Sequence, residues 1–463
     1  MEKTVKKRGL DMLNGPIWNK LPIFALPVAA TAILEQLFNA SDVAVVGNFA
    51  GSDKTLAVAA VGANTAIISL IINLFVGIAL GANVVIANAI GRGDKGAVKR
   101  AVSTSILISA IGGLIVCVLG EIVAAPLMRL LQVPEDVFPS ALLYLRIYLA
   151  GMPVILLYNF EAAIFRSVGD TKTPLIALAS SGVLNVILNL FFVIVLKMTV
   201  NGVAIATVVS NALSSAVLFI RLLHTDKEIK VEMKNLKFDG AAFKKIIRIG
   251  LPAGIQGAVF ALSNIIIQSA INSLGKVVMA ASSAAYNIEI LAYDVLNSFS
   301  QACTTFVGQN FGARKIDRCK KTLYLCLLED LIATLSAVGL VLLFGKFLLS
   351  LFNSDPEVID IGYTRLAIIL SAYVFSMIYD VISGYLRGFG ISLVPSLLTI
   401  VGVCGIRIFW ISVIFPQSPT FRTIMNVYPV SLGTTALLIF LSLLFYRPAK
   451  KYSKQTRDEA AQA

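Results

Sequence analysis

A carboxylate inside a membrane-length apolar segment is the group in this sequence best placed to do chemistry. Asp42 lies in the stretch ILEQLFNASDVAVVG, residues 33–47, together with Glu35, Gln36 and Asn39. A carboxylate at mid-bilayer depth costs roughly 2.5–3.5 kcal/mol on insertion scales, and such acids usually face a cavity or a partner. We therefore expect Asp42 to have a function, although a structural hydrogen bond to a neighbouring helix is the alternative.

Two kinds of chemistry are open to Asp42. A carboxylate with amide and hydroxyl neighbours can bind Na⁺ through hard oxygen ligands, or it can take up a proton because desolvation favours its neutral form. Glu35 lies two helical turns before Asp42, on about the same helix face, and either lines a cavity or lies near the headgroups. We expect Gln36 and Asn39 to help satisfy the Asp42 carboxylate.

The composition places these residues in an all-helical, polytopic membrane protein. The chain has 463 residues, of which 57% are hydrophobic and 14% charged, with a mean hydropathy of +0.84. Soluble proteins carry about 25% charged residues. Apolar runs of about 20 residues or more recur from end to end. They predict twelve spans, at approximately 21–46, 56–88, 101–125, 138–162, 174–196, 202–223, 249–273, 278–308, 323–345, 359–384, 393–415 and 426–446.

The distribution of Lys and Arg predicts the orientation of these spans. With both termini inside, the predicted outer loops contain few basic residues, whereas the inner loops, the basic N-terminal segment and the tail from Arg447 to Arg457 are rich in them. This asymmetry follows the positive-inside rule and requires an even number of spans. We therefore expect a multi-pass protein of the cytoplasmic membrane with both termini cytoplasmic. The outer basic residues are Lys54, Arg129, Lys197, Lys276, Lys346 and Arg422.

Several function classes lack the residues that they need. The five cysteines show no ligand spacing, and His224 is the single histidine. The stretch GNFAGSDKT, residues 47–55, has the wrong spacing for a phosphate-binding loop. We find no plausible nucleophile and base pair, and therefore expect no enzyme and no cofactor apart from a coupling ion. We interpret the formal charge of +13 as a result of topology rather than nucleic-acid binding.

An internal repeat divides the chain. The stretches RSVGDTKTP, residues 166–174, and RGFGISLVP, residues 387–395, share the pattern R-x-x-G-x-x-x-x-P at an offset of 387 − 166 = 221. Gly91 and Gly312 are related by the same offset, because 312 − 91 = 221. Several landmarks at one spacing indicate duplication. The duplication predicts two six-helix lobes related by a pseudo-twofold axis along the membrane normal. It also predicts a cavity between the lobes, as in many secondary transporters.

The repeat also predicts domain boundaries and a second acid. We assign residues 1–223 to an N-lobe, 224–248 to a cytoplasmic linker, 249–446 to a C-lobe and 447–463 to a basic cytoplasmic tail. Asp380 occupies the repeat position of Asn159, because 380 − 159 = 221. We therefore expect Asp380 to contact a cation or substrate in the C-lobe.

Other polar and aromatic residues within spans have weaker indications. Phe38, Phe260 and Tyr286 could stack on a flat cation, although most aromatic residues in spans pack or face lipid. Arg146, Arg365 and Arg407 are expected to snorkel to the interface or to pair with acids rather than to bind substrate. Glu161, Glu289 and Asp294 are weaker candidates, because each could pair with a cytoplasmic or neighbouring polar group.

The stretch LPVAATAILEQLFNASDVAVVG resembles the first helix of the multidrug and toxic compound extrusion (MATE) family, which has an acid shortly before Val-Gly. The resemblance extends over essentially the whole chain. It includes the two R-x-x-G-x-x-x-x-P loops, NVILNLFFV in span five and GVAIATVVSN in span six. It implies an antiporter that exports organic, often cationic compounds in exchange for Na⁺ or H⁺.

The resemblance also implies the N-lobe site residues. Asp42 matches the family's N-lobe acid, Asn159 and Asn185 match amide positions, Thr207 matches a hydroxyl position, and Tyr144 matches a nearby aromatic position.

The sequence departs from the family pattern at three further positions. Asn189 stands where archaeal-type relatives have a second acid, which lowers the local charge and weakens the inference of a Na⁺ site at Asp42. Phe260 lies near the position of the span-seven acid of the NorM-type branch, and Asp380 lies about one turn from its span-ten acid.

We therefore predict a monomeric bacterial-type exporter of small, cationic and amphipathic molecules. It lies in the lipid bilayer and alternates access by rocking of two lobes. One alternative is a flippase for lipid-linked precursors, which would need a cavity rich in Arg and Lys. The other alternative is a membrane receptor without transport activity. The ionisable residues within spans are mostly acids, which favours a cationic substrate.

Overall fold

The computed structural model describes residues 9–49 and 54–453, and these residues form helices and connecting segments without a strand. The basic N-terminal segment 1–8, residues 50–53 of the GNFAGSDKT stretch and the tail from residue 454 onward lie outside the described residues. The helices, in chain order, are α1 Lys20–Phe49, α2 Lys54–Gly91, α3 Lys95–Leu130, α4 Phe138–Ala150, α5 Met152–Ser167, α6 Lys172–Leu190, α7 Val200–His224, α8 Gly240–Asn272, α9 Lys276–Gly312, α10 Ile316–Ser350, α11 Pro356–Ser371, α12 Tyr373–Gly388, α13 Leu393–Thr399, α14 Ile406–Phe409 and α15 Phe421–Tyr446.

Each of the twelve predicted spans coincides, for most of its length, with one of these helices or with a consecutive group of them. By length and composition, 9 helices of the described chain can cross a membrane, or 11 spans if each of two bent pairs counts as one. The one predicted span outside this count, 278–308, lies in α9, which is less apolar because it contains Glu289, Asp294 and many small polar residues. The all-helical, twelve-span prediction is therefore confirmed, and this is a multi-pass membrane protein.

Two spans bend at repeat-related positions. The helices α4 and α5 meet at Gly151 with an angle of 50°, and α11 and α12 meet at Ala372 with an angle of 43°. These breaks are 372 − 151 = 221 residues apart. In the first pair, Pro153 favours the break because it cannot donate a backbone hydrogen bond to the preceding helix.

Other boundaries repeat at the same offset. The helices α3 and α10 begin at Lys95 and Ile316, and 316 − 95 = 221. Gly169 and Gly390, which end the R-x-x-G turns, both have a positive φ, of 78° and 82°. A left-handed backbone is accessible to glycine without steric cost, so the turn itself requires this residue in both halves. The structure confirms the duplication predicted from the sequence.

Contacts divide the chain into two compact units. Of the described residues, the first unit contains Gly9, 30–49, 54–86 and Asp94–Ile247, and the second contains Leu10–Ala29, Ala87–Gly93 and 248–453. The first half of α1 belongs to the second unit, where the rings of Phe24 and Phe306 pack edge to face with centroids 6.0 Å apart. The lobe boundaries predicted from the sequence stay a prediction.

The charged segment after α7 is docked within the first unit. Lys99 of α3 forms an ion pair with Glu232 at 2.7 Å, and Lys227 forms one with Asp170 at 3.0 Å. Hydrogen bonds from Lys99 and Asn235 hold the pKa of Glu232 below its ordinary value. Two apolar side chains of this segment, Ile229 and Val231, are fully buried. The segment is therefore a packed element of the first unit and not a free tether.

Within the second unit, the C-terminal ends of α2 and α9 make a close and reciprocal contact. A Cβ atom added at Gly91 would overlap the backbone oxygen of Gln309, and one added at Gly312 would overlap the backbone oxygen of Asn88. These four positions form two repeat pairs, because 309 − 88 and 312 − 91 both equal 221. Glycine at both positions is what allows the two backbones to approach each other.

We expect Gly91→Ala to destabilise the protein by about 1–3 kcal/mol, the usual cost of overpacking against groups that cannot move. The matched control is Gly62→Ala in the same helix, where an added Cβ meets no heavy atom within 4 Å. This control should be neutral or slightly stabilising because alanine favours helix more than glycine does. Thermal unfolding of the purified variants in detergent measures both effects, and equal midpoints would contradict this account of the contact.

Candidate functional site

Asp42 is buried in α1 with 5% of its surface exposed, and its carboxylate is hydrogen-bonded by groups from two other helices. Its Oδ1 accepts from Asn189 Nδ2 of α6 at 2.6 Å, and its Oδ2 accepts from Thr207 Oγ1 of α7 at 2.8 Å. Both oxygens therefore have neutral hydrogen-bond donors, and no described Lys, Arg or His lies within ion-pair distance of Asp42.

Asn185 completes this group, which we call the carboxylate cluster: Asp42, Asn185, Asn189 and Thr207. Asn185 Oδ1 accepts from Asn189 Nδ2 at 3.2 Å, and Asn185 Nδ2 donates to Thr207 Oγ1 at 3.4 Å. The two asparagines are four residues apart on α6, so they share one helix face. That face is directed at α7, against which α6 packs.

The end of α6 next to the cluster is not a regular α-helix. A π-helical segment, Phe191–Val195, begins two residues after Asn189. Such segments are rare and occur frequently at functional sites, because they change the direction of side chains within a continuous helix. The local geometry is therefore consistent with a specialised site at Asn189.

The other two residues inferred for this site have different surroundings. Tyr144 is buried, and its ring stacks on Tyr148 with centroids 6.2 Å apart, in the same apolar cluster as Val45 and Val46 of α1. Asn159 is half-buried, and its Nδ2 donates to the Ile155 carbonyl of its own helix at 2.9 Å. Hydrogen bonds therefore do not join Asn159 to the carboxylate cluster.

The remaining polar residues of α1 do not satisfy Asp42. Glu35 and Asn39 are exposed, and Gln36 is half-buried. The prediction that Gln36 and Asn39 support the carboxylate is wrong, because its donors come from α6 and α7. Phe38 packs against Gly182 of α6, where a Cβ atom would overlap its ring, so this aromatic residue fixes the approach of two helices.

Asp380 is the corresponding buried acid of the second unit. It lies in α12 with 6% of its surface exposed, and its Oδ2 accepts from the Tyr293 hydroxyl at 3.4 Å. Its backbone oxygen accepts from Ser300 Oγ at 2.7 Å. Arg387, seven residues further along the chain, donates from Nη2 to Gln256 at 2.7 Å.

Two of the three arginines within spans pair with acids, as predicted. Arg146 contacts Glu121 at 3.3 Å, and Arg365 contacts Glu289 at 2.9 Å. The latter pair is almost fully buried, and Arg365 Nη1 also donates to Ser282 at 2.7 Å.

Arg407 contradicts the prediction. Only 2% of its surface is exposed, so it does not snorkel, and no described carboxylate lies within 4 Å of it. The guanidinium lies 5.2 Å from the ring centroid of Phe260, and that of Arg365 lies 5.6 Å from the ring of Tyr286. Two of the three aromatic residues expected to stack on a flat cation, Phe260 and Tyr286, therefore lie against arginines of the protein.

The fold and this site indicate a class of protein, the membrane transporters. Each unit of this many-span helical protein buries ionisable side chains within its membrane spans. Intramembrane ionisable residues of this kind mark ion and substrate routes, and duplicated halves with sites at mid-span are typical of secondary transporters.

Comparison with known proteins is consistent with this class and gives the family. The MatE family model matches residues 27–191 and 252–411, one segment in each half of the chain. The chain therefore belongs to the multidrug and toxic compound extrusion (MATE) family of membrane transporters.

Similar proteins cover nearly the whole chain. Probable multidrug resistance protein YoeA of Bacillus subtilis is 28% identical over 438 residues, covering 92% of this chain and 93% of YoeA. Probable multidrug resistance protein NorM of Thermotoga maritima is 25% identical over 433 residues, with coverage of 92% and 91%. A crystal structure of a MATE protein in the bent conformation superposes with a TM-score of 0.87 at 21% identity, covering 96% of this chain and 98% of that one, which confirms the fold.

Proposed function

We propose that this protein is a secondary antiporter that exports organic, amphipathic compounds in exchange for a cation bound at Asp42. The observation that carries the proposal is the buried Asp42 carboxylate, which receives hydrogen bonds from neutral groups only. The names of YoeA and NorM, both probable multidrug resistance proteins, support drug-like compounds as substrates. Asp380 and Glu35 remain the proposed contacts for cationic groups of such compounds.

The geometry of the carboxylate cluster favours H⁺ over Na⁺ as the coupling ion. Hard cations need several oxygen ligands, but both Asp42 oxygens and Asn185 Oδ1 already accept hydrogen bonds. Asn189 Oδ1 is the buried oxygen of the cluster that accepts none from the described residues. Binding of a proton needs fewer changes to these hydrogen bonds than binding of Na⁺ does. Amide and hydroxyl groups can either donate to a carboxylate or accept from a carboxyl group.

The proposed cycle uses the charge of Asp42 as the switch. A bound ion changes the equilibrium between two conformations only by the difference in its affinity for them. Binding of H⁺ at Asp42 would therefore favour the conformation in which the neutral carboxyl is better accommodated. We further propose that the chain is a monomer in the cytoplasmic membrane with both termini in the cytoplasm, as the distribution of basic residues indicates.

The test is export driven by imposed gradients in proteoliposomes. Purified protein is reconstituted, and movement of a fluorescent organic cation such as ethidium is followed under a pH gradient or under a Na⁺ gradient of equal size. We expect the pH gradient to drive movement and the Na⁺ gradient to have little effect. Movement driven by Na⁺ alone would contradict H⁺ coupling, and movement driven by neither would contradict the antiport proposal.

A further inference from the structure

The second unit contains a buried cationic centre. The guanidinium groups of Arg365 and Arg407 both lie close to the ring of Tyr428, with their central carbons 5.8 Å and 4.4 Å from its centroid. All three side chains are at least nine-tenths buried. Arg365 belongs to α11, Arg407 to α14 and Tyr428 to α15, so three separate spans converge on this point.

The charges of the two arginines are compensated differently. Arg365 has a carboxylate partner, Glu289 Oε2, at 2.9 Å. Arg407 contacts only neutral acceptors, with Nη1 3.2 Å from Asn264 Oδ1 and Nε 3.4 Å from Ser431 Oγ. Among the described residues it thus remains a buried cation without an acid, an arrangement that is costly within a membrane span and is retained mainly at functional sites.

The repeat relates the ring of Tyr428 to the carboxylate cluster of the first unit. Tyr428 corresponds to Thr207 of the carboxylate cluster, because 428 − 207 = 221, and Arg365 corresponds to Tyr144, because 365 − 144 = 221. The first unit combines its hydroxyl position with an uncompensated carboxylate. The second unit has an uncompensated guanidinium next to the equivalent position. The buried charge beside this repeat-related hydroxyl position is thus an acid, Asp42, in the first unit and a base, Arg407, in the second.

The backbone around Arg407 is also specialised. The short helix α14 that carries it lies between two π-helical segments, Ile400–Gly405 and Trp410–Ile414. Such π-helical segments are rare and occur frequently at functional sites. Phe260 and Asn264, one turn apart on α8 and both in contact with the guanidinium, are half-buried, so part of the surface of each is exposed.

We propose that Arg407, with Asn264 and the rings of Phe260 and Tyr428, binds a carboxylate or phosphate group of an organic substrate. A guanidinium presents a planar fork of donors that matches either anion in a bidentate manner. The neighbouring rings suit an aromatic system attached to that anion. The inference deepens the proposed transport function, because it adds compounds with an anionic group, including zwitterions, to its substrate class.

The test uses two dyes that differ in one functional group. Rhodamine 110 has a free carboxyl group, and rhodamine 123 is its methyl ester. Equilibrium binding to the purified protein in detergent is followed by fluorescence polarisation, with empty micelles as the blank. We expect wild type to bind rhodamine 110 at least about tenfold more tightly, equivalent to about 1.4 kcal/mol. Arg407→Gln should remove this preference while leaving binding of the ester within about twofold.

Control variants separate the anion site from general damage. Arg146→Gln removes another arginine within a span, one that contacts Glu121 at 3.3 Å, and should retain the preference. Arg407→Lys keeps the charge but not the fork, and should retain only part of it. Equal binding of the two dyes by wild type would overturn the proposal, as would an unchanged preference in Arg407→Gln.

Competition with small anions identifies the group that is bound and does not need a mutant. Displacement of rhodamine 110 from wild type by benzoate would identify a carboxylate site, and displacement by phenyl phosphate would identify a phosphate site. Displacement by neither compound overturns the proposal even if Arg407→Gln fails to fold. No ion gradient is present in these measurements, so a failure of the coupling mechanism and a failure of this inference are distinguishable.

Discussion

Asp42→Asn is expected to lower gradient-driven export by roughly 5- to 150-fold, the range that a coupling free energy of about 1–3 kcal/mol gives. Asparagine has nearly the same shape as aspartate and can still accept from Asn189 and contact Thr207, the two donors seen at 2.6 Å and 2.8 Å. It cannot bind or release a proton. The variant should therefore fold, yet its transport should no longer respond to the ion gradient.

The measurement is initial export from proteoliposomes, with and without the imposed pH gradient, for wild type and Asp42→Asn. The matched control is Asp330→Asn, which changes another fully buried acid of a membrane span. The Asp330 carboxylate accepts from Thr334 at 3.0 Å in α10. We expect this control to keep gradient-dependent export. Normal coupled export by Asp42→Asn, or equal loss in both variants, would show that Asp42 is not the coupling residue.

The span pattern could be predicted from the sequence because it depends on local composition. Apolar runs of about 20 residues indicate membrane-spanning helices directly. The 221-residue offset between Gly91 and Gly312 indicates the duplication. The bends at Gly151 and Ala372 were not predicted. A bend depends on which backbone hydrogen bonds the neighbouring helices can replace, and a linear pattern does not contain that information.

The partners of Asp42 show where sequence reasoning from spacing alone fails. Its donors, Asn189 and Thr207, are 147 and 165 residues away along the chain, and only the family resemblance brought them together. Spacing on α1 suggested Gln36 and Asn39 instead. The buried stripe of this part of α1 contains Asp42 with Val45 and Val46. The face that packs against other helices is therefore decided by tertiary contacts.

Arg407 was misjudged for a related reason. Most arginines within spans reach the interface or an acid, and Arg146 and Arg365 do so. Arg407 lies near the middle of its span, between two π-helical segments. Its side chain contacts Tyr428 of α15 and Asn264 of α8. The sequence does contain one signal, since Tyr428 lies at the repeat position of Thr207, but its meaning depends on knowing what surrounds each residue.

Glu289→Gln is expected to destabilise the protein by about 3–5 kcal/mol, the cost of breaking a buried ion pair from one side. The side chains of Arg365 and Glu289 are only 3% and 8% exposed, so water cannot solvate the guanidinium that remains. Glutamine keeps the size and one acceptor oxygen of glutamate, so the loss reports mainly the charge. Thermal and denaturant unfolding in detergent, followed by helical circular dichroism, measure the effect.

The matched control for this prediction is Glu121→Gln, which breaks the Arg146–Glu121 pair, whose side chains are 49% and 38% exposed. Exposed pairs contribute about 0–1 kcal/mol, so the control should unfold close to wild type. The double variant Glu289→Gln with Arg365→Gln should recover part of the loss, because it removes the unpaired charge. A Glu289→Gln variant as stable as the control would contradict the role of this pair.

The Arg365–Glu289 ion pair also affects the cationic centre around Tyr428. Without the Glu289 charge, both Arg365 and Arg407 would be uncompensated guanidinium groups within 6 Å of the same ring centroid. Their mutual repulsion adds to the desolvation cost of each. A bound organic anion would then stabilise Glu289→Gln more than wild type, since it would relieve both charges. Rhodamine 110 should raise the unfolding midpoint of the variant by more than it raises that of wild type, and rhodamine 123 should raise the two midpoints equally.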